Sequence, residues 1–402
     1  MQPNLSILFS NIAHLLVHML IMLFPTLVLV LEHEWGMSYG ELIALMFVGQ
    51  ILFGLGALPA GWLADRWSSV GMMCVFLIGT GGSAVLTGLA NDAFGLGAGF
   101  ALMGLFAAIY HPVGIPWVIR IASRRGRALG VNAVYGSLGF ALAPIVGGAL
   151  AETISWRAAF IVPGAFAILV GALLLALWRR GTVVDAVAEI QPVADAAMGS
   201  VRRPFLLLTI AMVCAGLVGH TLFLMMPKLV AEGLSAGASS GIASVGVLVA
   251  IAYLLGGLSG LVGGRLADRF PARAVYGLSL ALFAALLFAA GMLGGNALVV
   301  VALLSAILNG LYPAAENLLL ARFSPGKWRS TAFGVRSMFT LGSSAASVPL
   351  IAFMHERFGG FSALLLLLGS FAGIAVLAAQ LLPGEGRRTA RRSAADPAPT
   401  GR

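Results

Sequence analysis

Gly61-Trp62-Leu63-Ala64-Asp65-Arg66 closes one long apolar run, and Gly264-Arg265-Leu266-Ala267-Asp268-Arg269 closes another, 203 positions later. The match does not stand alone. His18 and Pro25 recur as His220 and Pro227, and Tyr110 recurs as Tyr312, each 202 positions on. Several matches at nearly one offset, each in a corresponding apolar run, indicate a parallel duplication of a single unit.

Around these segments the chain is apolar almost throughout. Of its 402 residues 60% are hydrophobic and only 10% are charged, with a mean hydropathy of +0.99. Soluble domains carry roughly 25% charged residues, so this composition does not cover a water-facing surface of such size. Apolar runs recur at about 20 residues, the length that crosses the ~30 Å of a bilayer core. The short alternating segments of a membrane β-barrel are absent. The runs place spans at 6–31, 39–63, 70–90, 94–119, 128–151 and 157–178. A second set falls at 205–230, 241–264, 273–293, 297–321, 330–353 and 361–382. The expected fold is therefore all-α, with twelve transmembrane helices in two pseudo-symmetric six-helix bundles. The bundles cover 1–178 and 205–382, joined by a cytoplasmic linker at 179–204 and followed by a disordered tail at 383–402.

Charge fixes the expected orientation. Arg66, Arg120, Arg124, Arg125 and Arg127, the pairs Arg179-Arg180 and Arg202-Arg203, and Arg265, Arg269, Arg273, Arg322, Lys327, Arg329 and the tail arginines share one side. Only Arg157, Lys228 and Arg357 lie on the other. By the positive-inside rule both termini are cytoplasmic, in a multi-pass inner-membrane protein. The same distribution disposes of nucleic acid as a partner. The net charge of +9 is spread over short loops, not gathered into a patch with interleaved aromatics. Cys74 and Cys214 stand alone inside apolar runs and suggest no disulfide framework. The first run is too long for a secretory h-region and reads as a retained span.

The doubled Gly-x-Leu-Ala-Asp-Arg segment resembles the signature of the major facilitator superfamily, and the resemblance covers the whole chain. It implies a secondary transporter working by alternating access, with spans 1, 4, 7 and 10 around a central cavity. It also implies that Gly61, Asp65 and Arg66, with Gly264, Asp268 and Arg269, form a cytoplasmic gate. The residue types suit a gate, because glycine lets helices approach closely and an Asp can meet the positive N-terminus of a helix from the other half. Gly139-Phe140-Ala141-Leu142-Ala143-Pro144-Ile145-Val146-Gly147-Gly148 is similar to the fifth-span motif of proton antiporters, with Ala143 where that motif has glycine. The resemblance, carried by Gly139, Pro144, Gly147 and Gly148, favours export of a small organic compound. Ala13-His14-Leu15 and Tyr110-His111-Pro112 resemble the fosmidomycin-resistance-type branch.

Ionisable groups inside the membrane cost at least ~2.5–3.5 kcal/mol and so mark function by default. The candidates are His14, His18, His111, His220, Glu316 and Arg336, all but Arg336 on expected cavity spans. His14 and His18 share a helix face, and imidazole titrates near physiological pH, which suits proton coupling. Glu316 and Arg336 lie at matching depths on consecutive spans and are expected to pair. Tyr110, Asn132, Tyr135, Asn309 and Tyr312 are candidate substrate contacts. Met22 extends the stripe His14-x-x-x-His18, a ligand set for soft metals. No thiolate or carboxylate completes it, so no metal site is assigned. No Walker loop, nucleophile constellation or other catalytic motif is found, and no cofactor is expected. The reading is a monomeric, proton-coupled exporter of a small organic compound, with uptake of a small metabolite or soft metal ion as the alternative.

Overall fold

In a computed structural model the described residues are 2–122, 125–183, 185, 202–234, 241–323 and 329–383. Most of the expected linker and tail lie outside them. Every described element is a helix, as a backbone without water to bond must arrange. The first span is α1 (Gln2–Ile21) followed by α2 (Phe24–Trp35). The second is α3 (Tyr39–Ala44), α4 (Phe47–Leu55) and α5 (Ala57–Arg66). Then come α6 (Ser69–Gly88), the pair α7 (Ala93–Ala107) and α8 (Tyr110–Ile121), α9 (Arg125–Thr153) and α10 (Trp156–Arg179). The second set is α11 (Arg202–Gly233), α12 (Ile242–Arg269), α13 (Ala272–Met292), the pair α14 (Gly295–Leu308) and α15 (Pro313–Phe323), α16 (Arg329–Phe358) and α17 (Ser362–Gln380). Among the described residues eleven helical segments are long and apolar enough to span a membrane. Helix α16 occupies the place of the remaining expected span.

The breaks inside spans have a local cause. Pro25, Pro112 and Pro313 each lie in the first turn of a half-helix, where a missing N–H and a fixed φ are tolerated. The first, fourth and tenth spans are thereby interrupted.

Packing sorts the helices into two sets. In the first, α6 lies along α10 and α1 along α9; in the second, α13 lies along α17, and α11 along α16 and α17. The sets meet where α9 runs beside α12, and where α3 and α4 run beside α16. A side chain at Gly246 on α12 would run into the Pro144 carbonyl of α9, so that seam is in backbone contact. At the other end of the chain's first half, Asp185 accepts a hydrogen bond from the Ser68 hydroxyl and another from the Val70 N–H (3.0 Å). This fastens the start of the connecting segment to the head of α6.

Candidate functional site

In the first half a buried polar hub organises α1, α8 and α9. Asn132, only 2% exposed, donates from Nδ2 to the Tyr110 hydroxyl (2.9 Å) and to Asn11 Oδ1 (3.0 Å). The Tyr110 hydroxyl donates in turn to the Ser10 carbonyl (3.1 Å). His14 Nδ1–H donates to the Asn132 carbonyl at 2.7 Å. A carbonyl only accepts, so this bond fixes the His14 tautomer and turns a lone pair on Nε2 toward His18, 3.2 Å away. His111 closes the group, its ring centroid 5.6 Å from His14 and 5.3 Å from His18. Gly136 makes this possible, since a Cβ there would strike the His14 ring.

The cluster reaches the interface between the halves through stacked rings. His18 stacks on Phe140 (4.2 Å), and Phe140 stacks on Phe223 of α11 (4.9 Å). The repeat pairs His18 with His220 in the sequence; in the structure His18 groups with His14 and His111, and His220 of α11 lies within electrostatic reach of it. His220 lies on α11, its Nδ1 buried without a hydrogen-bond partner. Tyr135 is half-buried on α9.

In the second half Tyr312 repeats the part of Tyr110. Its hydroxyl lies 3.1 Å from Asn309 Oδ1 and 3.4 Å from the Ala215 carbonyl of α11. Glu316, 4% exposed, sits in the first turn of α15 and accepts a hydrogen bond from Tyr276 of α13 (3.2 Å). The end of a half-helix that presents free N–H groups favours a carboxylate. The Arg336 side chain, its expected partner, lies outside the described residues. Sequence reasoning missed Tyr276 because nothing in its span marks which face meets α15.

The two ends of the bundle differ. At one end Gly61 packs toward Pro112 of α8, and Gly264 toward Ala314 of α15, so each segment expected to form the gate leans on its own half. Asp65 and Asp268 are exposed there; Arg66 lies over the Trp62 ring at 4.1 Å, and Arg269 is exposed. At the opposite end polar contacts cross between the halves. Lys228 pairs with Glu32 (2.6 Å), and the Ser38 hydroxyl donates to Glu356 (2.9 Å). Glu152 of α9 accepts from the Ala243 N–H of α12 (2.9 Å). The antiporter-like residues Pro144 and Gly148 face α12, Gly147 faces Leu23 beside α2, and Gly139 admits the Leu15 carbonyl of α1. That motif is thus the packing surface of α9.

A duplicated bundle with broken helices, buried polar groups, and halves joined at one end by an ion pair and hydrogen bonds is the architecture of a membrane transporter. The chain belongs to the Major Facilitator Superfamily, whose family profile matches residues 10–257 and 239–401. It is 30% identical to puromycin resistance protein pur8 of Streptomyces alboniger over 154 residues, 37% of this chain and 31% of that protein. It is 27% identical to an MFS-type efflux pump of Mycolicibacterium smegmatis over 232 residues, 56% of this chain and 52% of the pump. It is 39% identical to the multidrug efflux pump LfrA of the same organism over 108 residues, 25% of this chain and 21% of LfrA. The chain therefore spans about half the length of these curated relatives or less. In fold it resembles a bacterial homolog of the human lysosomal transporter Spinster in an inward-facing, unoccupied conformation. The TM-score is 0.76 at 16% identity, covering 95% of this chain and 98% of that one.

Proposed function

We propose that this transporter exports a small organic compound across a bacterial inner membrane by alternating access, in exchange for protons, as a monomer with both termini cytoplasmic. The observation that carries the coupling is the buried Glu316 in the first turn of α15. As a carboxylate it accepts from Tyr276 and answers the positive end of α15; the Tyr312 ring stands beside Tyr276 at 6.0 Å. As a neutral acid it keeps only an uncharged hydrogen bond from Tyr276 and no charge to meet the helix end, but is cheaper to hold in a dry site. Rocking the two halves changes which of these dominates, so proton uptake on one side and release on the other follow from one group. Export as the direction is supported by the relatives, all three of which bear names of resistance or efflux. Cargo binds against the histidine cluster, the Phe140–Phe223 stack, His220 and Asn309, between the halves.

The test uses inverted membrane vesicles that contain the protein and have an acid interior, with a panel spanning puromycin, cationic dyes and small anionic aromatic compounds. An exported compound should discharge part of the pH gradient on addition and accumulate inside. Gradient-driven accumulation in right-side-out vesicles instead would establish uptake, and transport indifferent to collapse of the gradient would remove the proton.

A further inference from the structure

Three imidazoles far apart in the sequence converge in the first half of the protein. One nitrogen from each of His14, His18 and His111 lies within 4.8 Å of the other two. The His14–Asn132 bond leaves His14 Nε2 unprotonated and aimed at the cluster. A ring nitrogen fixed by a bond from its partner nitrogen to a backbone carbonyl is the usual outer-shell support of a metal-binding histidine. His14 Nε2 and His18 Nε2 stand 3.2 Å apart. Two nitrogens on a tetrahedral ion at ~2.0–2.1 Å each are about 3.3 Å apart, so the spacing fits a shared ion. In a neutral pair His18 Nε2–H donates to His14, which leaves the His18 Nδ1 lone pair buried without a donor.

The charge around the cluster narrows what binds. Among the described residues no carboxylate or thiolate joins the three histidines. A divalent ion held by neutral ligands alone keeps its full charge in a poorly solvated site, at high cost. Three ligands also leave at least one coordination position open. His111 lies in the first turn of α8, whose N-terminus favours negative charge. We propose that His14, His18 and His111 bind a divalent transition ion of the zinc, cobalt or nickel type together with an anionic organic chelator. The chelator fills the open positions on the side of the Phe140–Phe223 stack. This rests on the reading of the protein as a carrier of small organic compounds, and it names their class: anionic chelators carrying a metal ion.

The experiment uses the purified full chain without a histidine tag, titrated with cobalt chloride alone and with cobalt plus equimolar picolinate. One cobalt per chain should give a saturable visible absorption band that zinc displaces. Picolinate should tighten binding at least tenfold. His18→Gln and His111→Gln should each weaken it at least tenfold, while His33→Gln, which alters a histidine outside the cluster, leaves it unchanged. If a cluster variant does not fold, X-ray absorption of the zinc-loaded natural sequence decides, with three imidazole scatterers expected. Absence of a saturable band in both arms, binding unchanged in both cluster variants, or scattering from oxygen ligands alone would overturn the site. Picolinate that strips cobalt from the protein would overturn the chelate. Neither result bears on whether the vesicles export puromycin or dyes, so failure here and failure of the export reading are separable.

Discussion

Lys228 on α11 places its Nζ 2.6 Å from Oε2 of Glu32 on α2, so an ion pair ties the two halves at the end away from the gate segments. Both side chains are largely covered, at 15% and 19% exposure, which limits screening by salt. Lys228 also lies 3.4 Å from Glu232, whose carboxylate meets His355 Nε2 at 3.0 Å. One cation thus separates two carboxylates. Lys228→Met should leave them facing each other and favour opening of this end by on the order of 1–2 kcal/mol, between the values for exposed and buried pairs. Spin labels at the tips of α2 and α11 should show a longer distance population; an unchanged distribution would dismiss the pair as a gate.

Glu316→Gln mimics a permanently protonated acid and keeps the shape of the side chain. Gradient-driven transport should vanish, while exchange of labelled for unlabelled cargo continues. Tyr276→Phe removes one donor to the carboxylate and should lower gradient-driven transport while cargo exchange continues. Full gradient-driven activity in Glu316→Gln would move coupling to another group.

The Asn132 hub is a stability element as well as a scaffold for His14. Asn132→Ala removes the amide that donates to the Tyr110 hydroxyl and to the Asn11 side chain, both buried; the hydroxyl keeps its bond to the Ser10 carbonyl, and the change should cost about 1–3 kcal/mol. Thermal unfolding of the purified protein checks this. In a Tyr110→Phe background the same change should cost less, since the bond between Asn132 and the hydroxyl is already gone. Additive losses would mean the two residues are not energetically joined.

Asp65 is exposed and its helix packs on α4, α6 and α8, all of its own half. Asp65→Asn should therefore leave the present conformation intact and penalise only the state in which the gate ends meet, by on the order of 0.3–1 kcal/mol. Labels on α5 and α12 would report a reduced short-distance population. Equal populations in both proteins would show that the carboxylate has no part in closure.

The spans and the duplication were legible because hydrocarbon demands a fixed length and because one segment recurs almost unchanged. His14 and His18 were legible as neighbours since four residues make one helical turn. His111 joins them only through the packing of α1 against α8, which sets depth and rotation together and which no short pattern encodes. The breaks in the first, fourth and tenth spans did carry a signal. Pro25, Pro112 and Pro313 each stand where a half-helix begins, and reading them as starts would have placed Glu316 and His111 in first turns. The Tyr276–Glu316 bond had no such mark, because an apolar span offers many faces and the hydroxyl selects one only after folding.

The backbone contact between Gly246 and Pro144 has an electrical consequence. A carrier driven by an ion gradient, as proposed for this one, must not be a conductor, and the join between its halves is a path along which a leak could form. Where α9 and α12 touch backbone to backbone, the gap is narrower than a water molecule, so no file of water forms along that stretch. Glycine there serves as insulation: with no side chain at Gly246 the two backbones close on each other, and the join has no room for a conducting path at that contact.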